Sequence, residues 1–177
     1  MNLITAGLHK NTFRMHGKPL TYVSYRSHRA ALDFLRNTYS QDTGPGVLAG
    51  PPMIGKTTVV RNFVRGLPAN TAVAAVDCQN LVSGGLLNAV LTQFGFLQDR
   101  LNENEKLKLL NVFLDRQTAI FHPSLLLIEN AHELRPSEYQ ALQQMFEARY
   151  KGRSTLRVIL IGDSSLGLVI DALRAHN

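Results

Sequence analysis

Four stretches of the chain are apolar at nearly every position: Val47–Ala49 (VLA), Thr71–Asp77 (TAVAAVD), Ser124–Ile128 (SLLLI) and Leu156–Gly162 (LRVILIG). Unbroken apolar runs of this length, without polar alternation, suit strands buried on both faces. The longer segments between them repeat apolar residues three and four apart. Ser27–Asn37 (SHRAALDFLRN) places Ala31, Leu32, Phe34 and Leu35 at helical spacing behind Ser27 as N-cap. A second helix starts at Gly55 or Lys56 and stops near Gly66-Leu67-Pro68. Further helices are predicted from Ser83 to Phe94 and from Glu103 to about Ala119, the latter with Leu107, Leu110, Val112, Phe113 and Ile120 on its apolar side. Another runs from Pro136 to Tyr150 with proline in its first turn, and a last one begins at Ser164.

Strands alternating with helices predict an α/β fold, a three-layer sandwich around a central parallel sheet. Residues 1–24 show no clean period and read as a lead-in, with the domain spanning residues 25–177. The chain ends on LRAHN without a helix stop signal or a further strand, so a domain of this kind is expected to continue.

Composition narrows the class. With 177 residues, 45% of them apolar and 18% charged, the chain suits one globular domain. No run approaches the roughly 18 apolar residues of a membrane span, and the N-terminus lacks the order of a signal peptide. A single cysteine, Cys78, suits a reducing compartment, and a cytoplasmic location is expected. The formal charge of +6 is uneven. Lys10, Arg14, Lys18, Arg26, Arg29 and Arg36 face only Asp33 within the first 40 residues, interleaved with Phe13, Tyr22, Tyr25, Phe34 and Tyr39. Such a stretch is a solvated basic surface, or a patch for nucleic-acid phosphates or an anionic membrane. The aromatics equally suit core or a wall for an adenine ring. Charge alone does not decide.

The chemistry starts at Gly50-Pro51-Pro52-Met53-Ile54-Gly55-Lys56-Thr57, which fits G-x-x-x-x-G-K-[ST], the P-loop or Walker A motif. The motif sits in its required context, after a short apolar strand and before a helix. Its glycines let the backbone wrap a β-phosphate, and the helix adds its positive end to the same spot. Lys56 reaches the β- and γ-phosphates, Thr57 offers a hydroxyl to Mg²⁺, and Thr58 follows among the nucleotide contacts. The expected ligands are therefore ATP or ADP with Mg²⁺. Val59, Val60 and Phe63 read as core.

An acid at the tip of a neighbouring apolar strand should hold the metal, and Glu129 after Leu125–Ile128 qualifies. Many P-loop ATPases place a glutamate next, as base for the attacking water, but this chain has Asn130. An amide positions water without taking its proton, and base catalysis contributes on the order of 10²–10⁴ in rate. Binding with slow turnover follows. Glu129 with a shifted register, or Glu133 from the loop, remain as substitute bases, and His132 reads as a loop or helix-start residue.

SHRAALDFLRN, GVLAGPPMIGKTTVVRNF, LLLIENAHEL, ALQQMFEA and RVILIGDSSL fall in an order that resembles AAA+ ATPases of the ExeA/GspA secretion type. The order is also similar to that of TniB-like transposition helpers. The resemblance covers roughly Tyr22 to the end, and ENAHEL and ILIGDSSL carry it more specifically than the P-loop. It implies a P-loop NTPase sheet with the acid strand beside the P-loop strand, a last strand and a small helical lid, and a sensor strand ending at Asp163 and Ser164. Asp163 reads as sensor or as helix N-cap, and Ser164 as the better sensor. It also implies homo-oligomeric rings in which Arg149, Arg153 or Arg174 serves a neighbour's nucleotide.

Two functions stay open: a motor or switch ATPase in an envelope, secretion or transposition-type assembly, and a non-hydrolysing, nucleotide-dependent interaction module. The basic N-terminal region adds a possible DNA-binding role. A small-molecule kinase shares the P-loop but lacks here an arginine-rich lid for a second substrate.

Overall fold

The computed structural model describes residues 26–41, 44–81, 84–97, 100–122 and 124–175, the last four of these by backbone alone. The lead-in with Lys10, Arg14, Lys18, Phe13, Tyr22 and Tyr25 lies outside the described residues, as does Ser83.

The helices and strands follow in the order α1 (Arg26–Ser40), β1 (Gly46–Ala49), α2 (Lys56–Arg65), β2 (Ala72–Asp77), α3 (Gly85–Gln93), α4 (Glu103–Ala119), β3 (Ser124–Glu129), α5 (Pro136–Glu147), β4 (Arg149–Tyr150), β5 (Arg153–Ser154), β6 (Arg157–Gly162) and α6 (Leu166–Ala175). Four strands pair in parallel in the order β1-β6-β3-β2. β3 is therefore central, and Leu125 to Ile128 are all fully buried. Alternate residues of the sheet serve two cores. Leu125, Leu127, Ile159 and Ile161 pack on α1 and α2 through Leu32, Leu35, Val59, Val60 and Phe63. Leu126, Ile128, Val158 and Leu160 face the opposite layer of α3 to α6. The continuous apolar runs thus have the physical cause assumed for them: each face of the sheet is covered.

Several boundaries differ from the sequence reading. α1 is helical from Arg26, so Ser27 lies inside the helix instead of capping it. α4 keeps its predicted span, but Val112 and Ile120 are exposed, and its buried stripe is Lys106, Leu110 and Leu114. Lys106 can lie there because its long stem packs while its Nζ meets Glu103 Oε1 at 2.8 Å. α5 ends at Glu147, three residues early, because the chain turns into the β4–β5 hairpin across Lys151-Gly152. Both turn residues have positive φ (50° and 77°), as a two-residue hairpin turn requires.

The start of α4 carries a full capping box. Asn102 Oδ1 accepts from Glu105 N at 3.0 Å, and Glu105 Oε2 accepts from Asn102 N at 2.9 Å. Asn102→Ala is expected to lower unfolding free energy by about 1 kcal/mol, read from the urea midpoint, because one helix N–H loses its partner.

Candidate nucleotide site

The strands' C-terminal ends gather the sequence-predicted site residues on one edge, as parallel α/β sheets do. Gly50 to Gly55 form the loop between β1 and α2, and Pro51, Pro52, Met53 and Ile54 are exposed. Met53 (φ 63°) and Gly55 (φ 96°) are both left-handed. Alternating left- and right-handed residues turn successive N–H groups toward one concave side, an anion nest. Gly55 needs to be glycine for a second reason, since a Cβ there would meet Nε2 of His28 at 2.9 Å. The same His28 nitrogen lies 3.0 Å from the carbonyl oxygen of Ile54, so α1 braces the loop from outside.

Lys56, Thr57 and Thr58 open α2, with Thr57 and Thr58 exposed. The Lys56 ammonium donates to the carbonyls of Gly50 at 2.6 Å and Pro51 at 2.8 Å. Its chain therefore folds back over the loop, and an ammonium has a third hydrogen left to give. The first-turn amides of a ten-residue helix point the same way.

Glu129 ends β3 and is half-buried, but β3 is not beside the loop's strand as expected: β6 pairs with both β1 and β3 and so stands between them. The Glu129 carboxyl is held above the ordinary range by burial and by the charge of Asp77, against the opposing pull of Arg61 on α2. Its register partner is Asp77, the last residue of β2. Asn130 follows in a left-handed turn (φ 52°, ψ 38°), and its Nδ2 donates to Asp77 Oδ1 at 2.8 Å.

Between the loop and Glu129, β6 ends at Gly162. Asp163 Oδ1 accepts from Ser165 N at 2.8 Å and Ser165 Oγ at 2.6 Å. Asp163 is not the helix N-cap expected of it: α6 starts at Leu166, and the Asp163 carboxylate bonds Ser165 in the turn ahead of the helix. The Ser165 hydroxyl chiefly, then its amide and the charge of Lys56, hold the Asp163 carboxyl low. Ser164 lies exposed in the turn. His132 Nδ1 accepts from Asp163 N at 3.3 Å, which ties the turn after β3 to the turn after β6. A Cβ on Gly162 would sit 3.2 Å from that nitrogen, so the small residue makes room for the ring.

Three residues of this edge were missed from sequence: His28, His132 in its bridging role, and Asp77. Asp77 had a signal, since AVAAVD and SLLLIE are the same pattern of an acid closing an apolar run. Glu133 is exposed, with its Oε1 3.7 Å from His132 Nε2. Cys78 is buried beside these acids, and burial chiefly pushes its thiol up to about 12, so it is no nucleophile at neutral pH.

The arginines predicted to serve a neighbour stand elsewhere. Arg149 Nη1 donates to the carbonyls of Phe146 at 2.7 Å and Ala148 at 3.2 Å. Arg153 lines a cleft with Arg157 and Ser124 at the N-terminal ends of β6 and β3, the sheet edge opposite the loop. The side chain of Arg174 lies outside the described residues.

Among the described residues no helix is long and apolar enough to cross a membrane. General secretion pathway protein A of Aeromonas hydrophila is 27% identical over 164 residues, which are 90% of this chain and 29% of that protein. Two solved structures share the fold. Cdc6p of Pyrobaculum aerophilum superposes with TM-score 0.62 at 15% identity, over 89% of this chain and 45% of its own. The ADP form of the Aeropyrum pernix ORC2 protein gives 0.64 at 18% identity, over 96% and 50%. The chain thus spans less than a third of the curated relative and about half of the solved structures. A family model described as an AAA domain matches residues 38–169, well over half of the chain and the site edge except His28. With the P-loop, the acid-tipped strand and the turn after β6 on one sheet edge, and that match across them, the chain belongs to the AAA domain family of P-loop ATPases.

Proposed function

We propose that this chain binds Mg-ATP at the C-terminal edge of its sheet and hydrolyses it slowly, as a nucleotide-driven switch in the assembly of a larger complex. The observation that carries the reading is the loop itself. Left-handed Met53 and Gly55, the amides opening α2, and an ammonium folded over the loop carbonyls form a cradle for a polyphosphate. Mg²⁺ fits the same edge. Thr57 and Glu129 would hold it with the nucleotide's own oxygens, since magnesium takes few protein oxygens and keeps its waters and substrate phosphates. When bound, the ion draws charge from the transferring phosphoryl group.

Slow turnover is supported by Asn130, which holds no basic site for a proton. From a typical enzyme rate of about 10 per second, loss of a general base leaves about 10⁻³ to 10⁻¹ per second. The expected result is saturable Mg-ATP binding by titration, with phosphate release in that slow range. Absence of affinity at millimolar Mg-ATP would refute the reading.

The name of the Aeromonas relative supports a secretion or envelope complex as the setting, with self-association a further proposal. Arg26, Arg29 and Arg36, exposed along α1, support a nucleic-acid surface as the second reading.

A further inference from the structure

Asn130 stands where a glutamate would take the water's proton, and the structure sets a carboxylate directly behind it. Asp77 Oδ1 accepts from Asn130 Nδ2 at 2.8 Å and from Gln79 N at 3.0 Å, while its Oδ2 accepts from Asn80 Nδ2 at 2.6 Å. Held on three sides, this carboxylate cannot turn without breaking bonds. Only the NH₂ end of an amide can face a carboxylate, so chemistry fixes which way Asn130 is flipped. Its carbonyl oxygen is then left for the other side. β2 is the edge strand beyond β3, so that other side holds β6 and β1, whose ends carry the sensor turn and the phosphate loop. A hydrogen bond to an ionised partner also draws the amide's electrons toward its oxygen, which strengthens that oxygen as an acceptor.

We propose that Asp77 and Asn130 work as one unit in place of the absent base. Asp77 is the positioning residue, and the Asn130 carbonyl accepts a hydrogen bond from the water aimed at the γ-phosphorus. The inference rests on Mg-ATP being the ligand. As the water oxygen bonds to the γ-phosphorus, the bond from that phosphorus to the β–γ bridging oxygen breaks and its electron pair leaves with ADP. One water proton stays on the new P–OH, and the other passes to a γ-phosphoryl oxygen, because the amide cannot keep it. The products are ADP and dihydrogen phosphate, which then releases a proton to solvent. Asp77 takes no proton in this step.

The same contact explains why Asn130→Glu is a poor restoration. It would set a second carboxylate against Asp77 and put a longer side chain in a left-handed turn that asparagine tolerates better.

The test is single-turnover phosphate release beside Mg-ATP affinity, on the whole chain. Asp77→Ala removes the oxygen that Gln79 N and Asn130 Nδ2 share, so nothing any longer dictates the flip of Asn130. The variant should retain affinity within about threefold and lose rate roughly 10- to 100-fold. Asn130→Ala leaves the Gln79 and Asn80 contacts of Asp77 intact and should lose rate similarly. The exchange Asp77→Asn with Asn130→Asp reverses donor and acceptor and sets a carboxylate beside the water. It should recover the wild-type rate or exceed it. If Asp77 only caps its own turn, its single variant keeps the wild-type rate whatever Asn130→Ala does, which overturns the proposal. A wild type that binds Mg-ATP but releases no phosphate in a single turnover overturns it too. Failure to bind Mg-ATP is read before any rate and strikes the parent reading instead.

Discussion

Lys56→Ala is expected to weaken Mg-ATP affinity by about 10²- to 10⁴-fold while the protein still folds. The lost group is an ammonium on a helix N-terminus, where hydrogen bonds to charged partners contribute about 1.5–3 kcal/mol each. Two such bonds to phosphate oxygens convert to that range of dissociation constants. The folded chain loses little. The ammonium's two partners are the carbonyls of Gly50 and Pro51, on a loop exposed from Pro51 to Ile54, and water can replace it. Titration with Mg-ATP and a melting curve on the same sample separate the two effects. Unchanged affinity in the variant would leave the loop without its assigned ligand, whereas a collapsed melting temperature would make Lys56 a structural residue.

Glu129→Gln is expected to give a more heat-stable protein that turns over Mg-ATP about 10- to 100-fold more slowly, the usual cost of losing a group that orients a metal's shell. The stability gain follows from the direction of the Glu129 shift. Burial, and then Asp77 across the strand pair, make the native state bind the proton more tightly than the unfolded chain does, whose ordinary value is 4.5. Native stability is therefore fully present below that value and declines as pH rises through the window up to the raised native value. At pH 7 the wild type carries that loss, whereas glutamine stays neutral and does not. Melting curves from pH 4 to 8 should converge at the acid end and separate above it. A variant that melts below the wild type at pH 7 would show that Glu129 is stabilised as a carboxylate, with Arg61 the dominant neighbour. A site that keeps an acid against its own stability has a functional reason to do so.

Much of the fold was legible because it follows from local pattern. Leu125–Ile128 could only be a strand covered on both faces, and Val59, Val60 and Phe63 are buried as their spacing required. The β4–β5 hairpin was not legible, since strands of two residues are too short to show any period. Val112 and Ile120 misled for a different reason: helical spacing shows that residues share a side, not which side meets the sheet. Lys106 took a buried place that composition reserved for an apolar residue.

The candidate site divides in the same way. His28 gave no sign in the sequence of its place against Gly55, because nothing local links a residue in α1 to a loop 26 positions on. Asp163 was legible as a residue bonded locally, since its partner is two residues away, but that partner lies ahead of α6, so it closes a turn instead of capping the helix.

By itself, the order of residues determined the phosphate loop, the acid that closes β3 and the amide that follows it. Each is a contiguous segment whose geometry is set by its own dihedrals and side chains. Only the tertiary structure decided what stands beside that amide. Parallel strands pair at about 4.8 Å whatever their separation along the chain. The order β1-β6-β3-β2 therefore brings Asp77 against Asn130 across 53 positions of sequence.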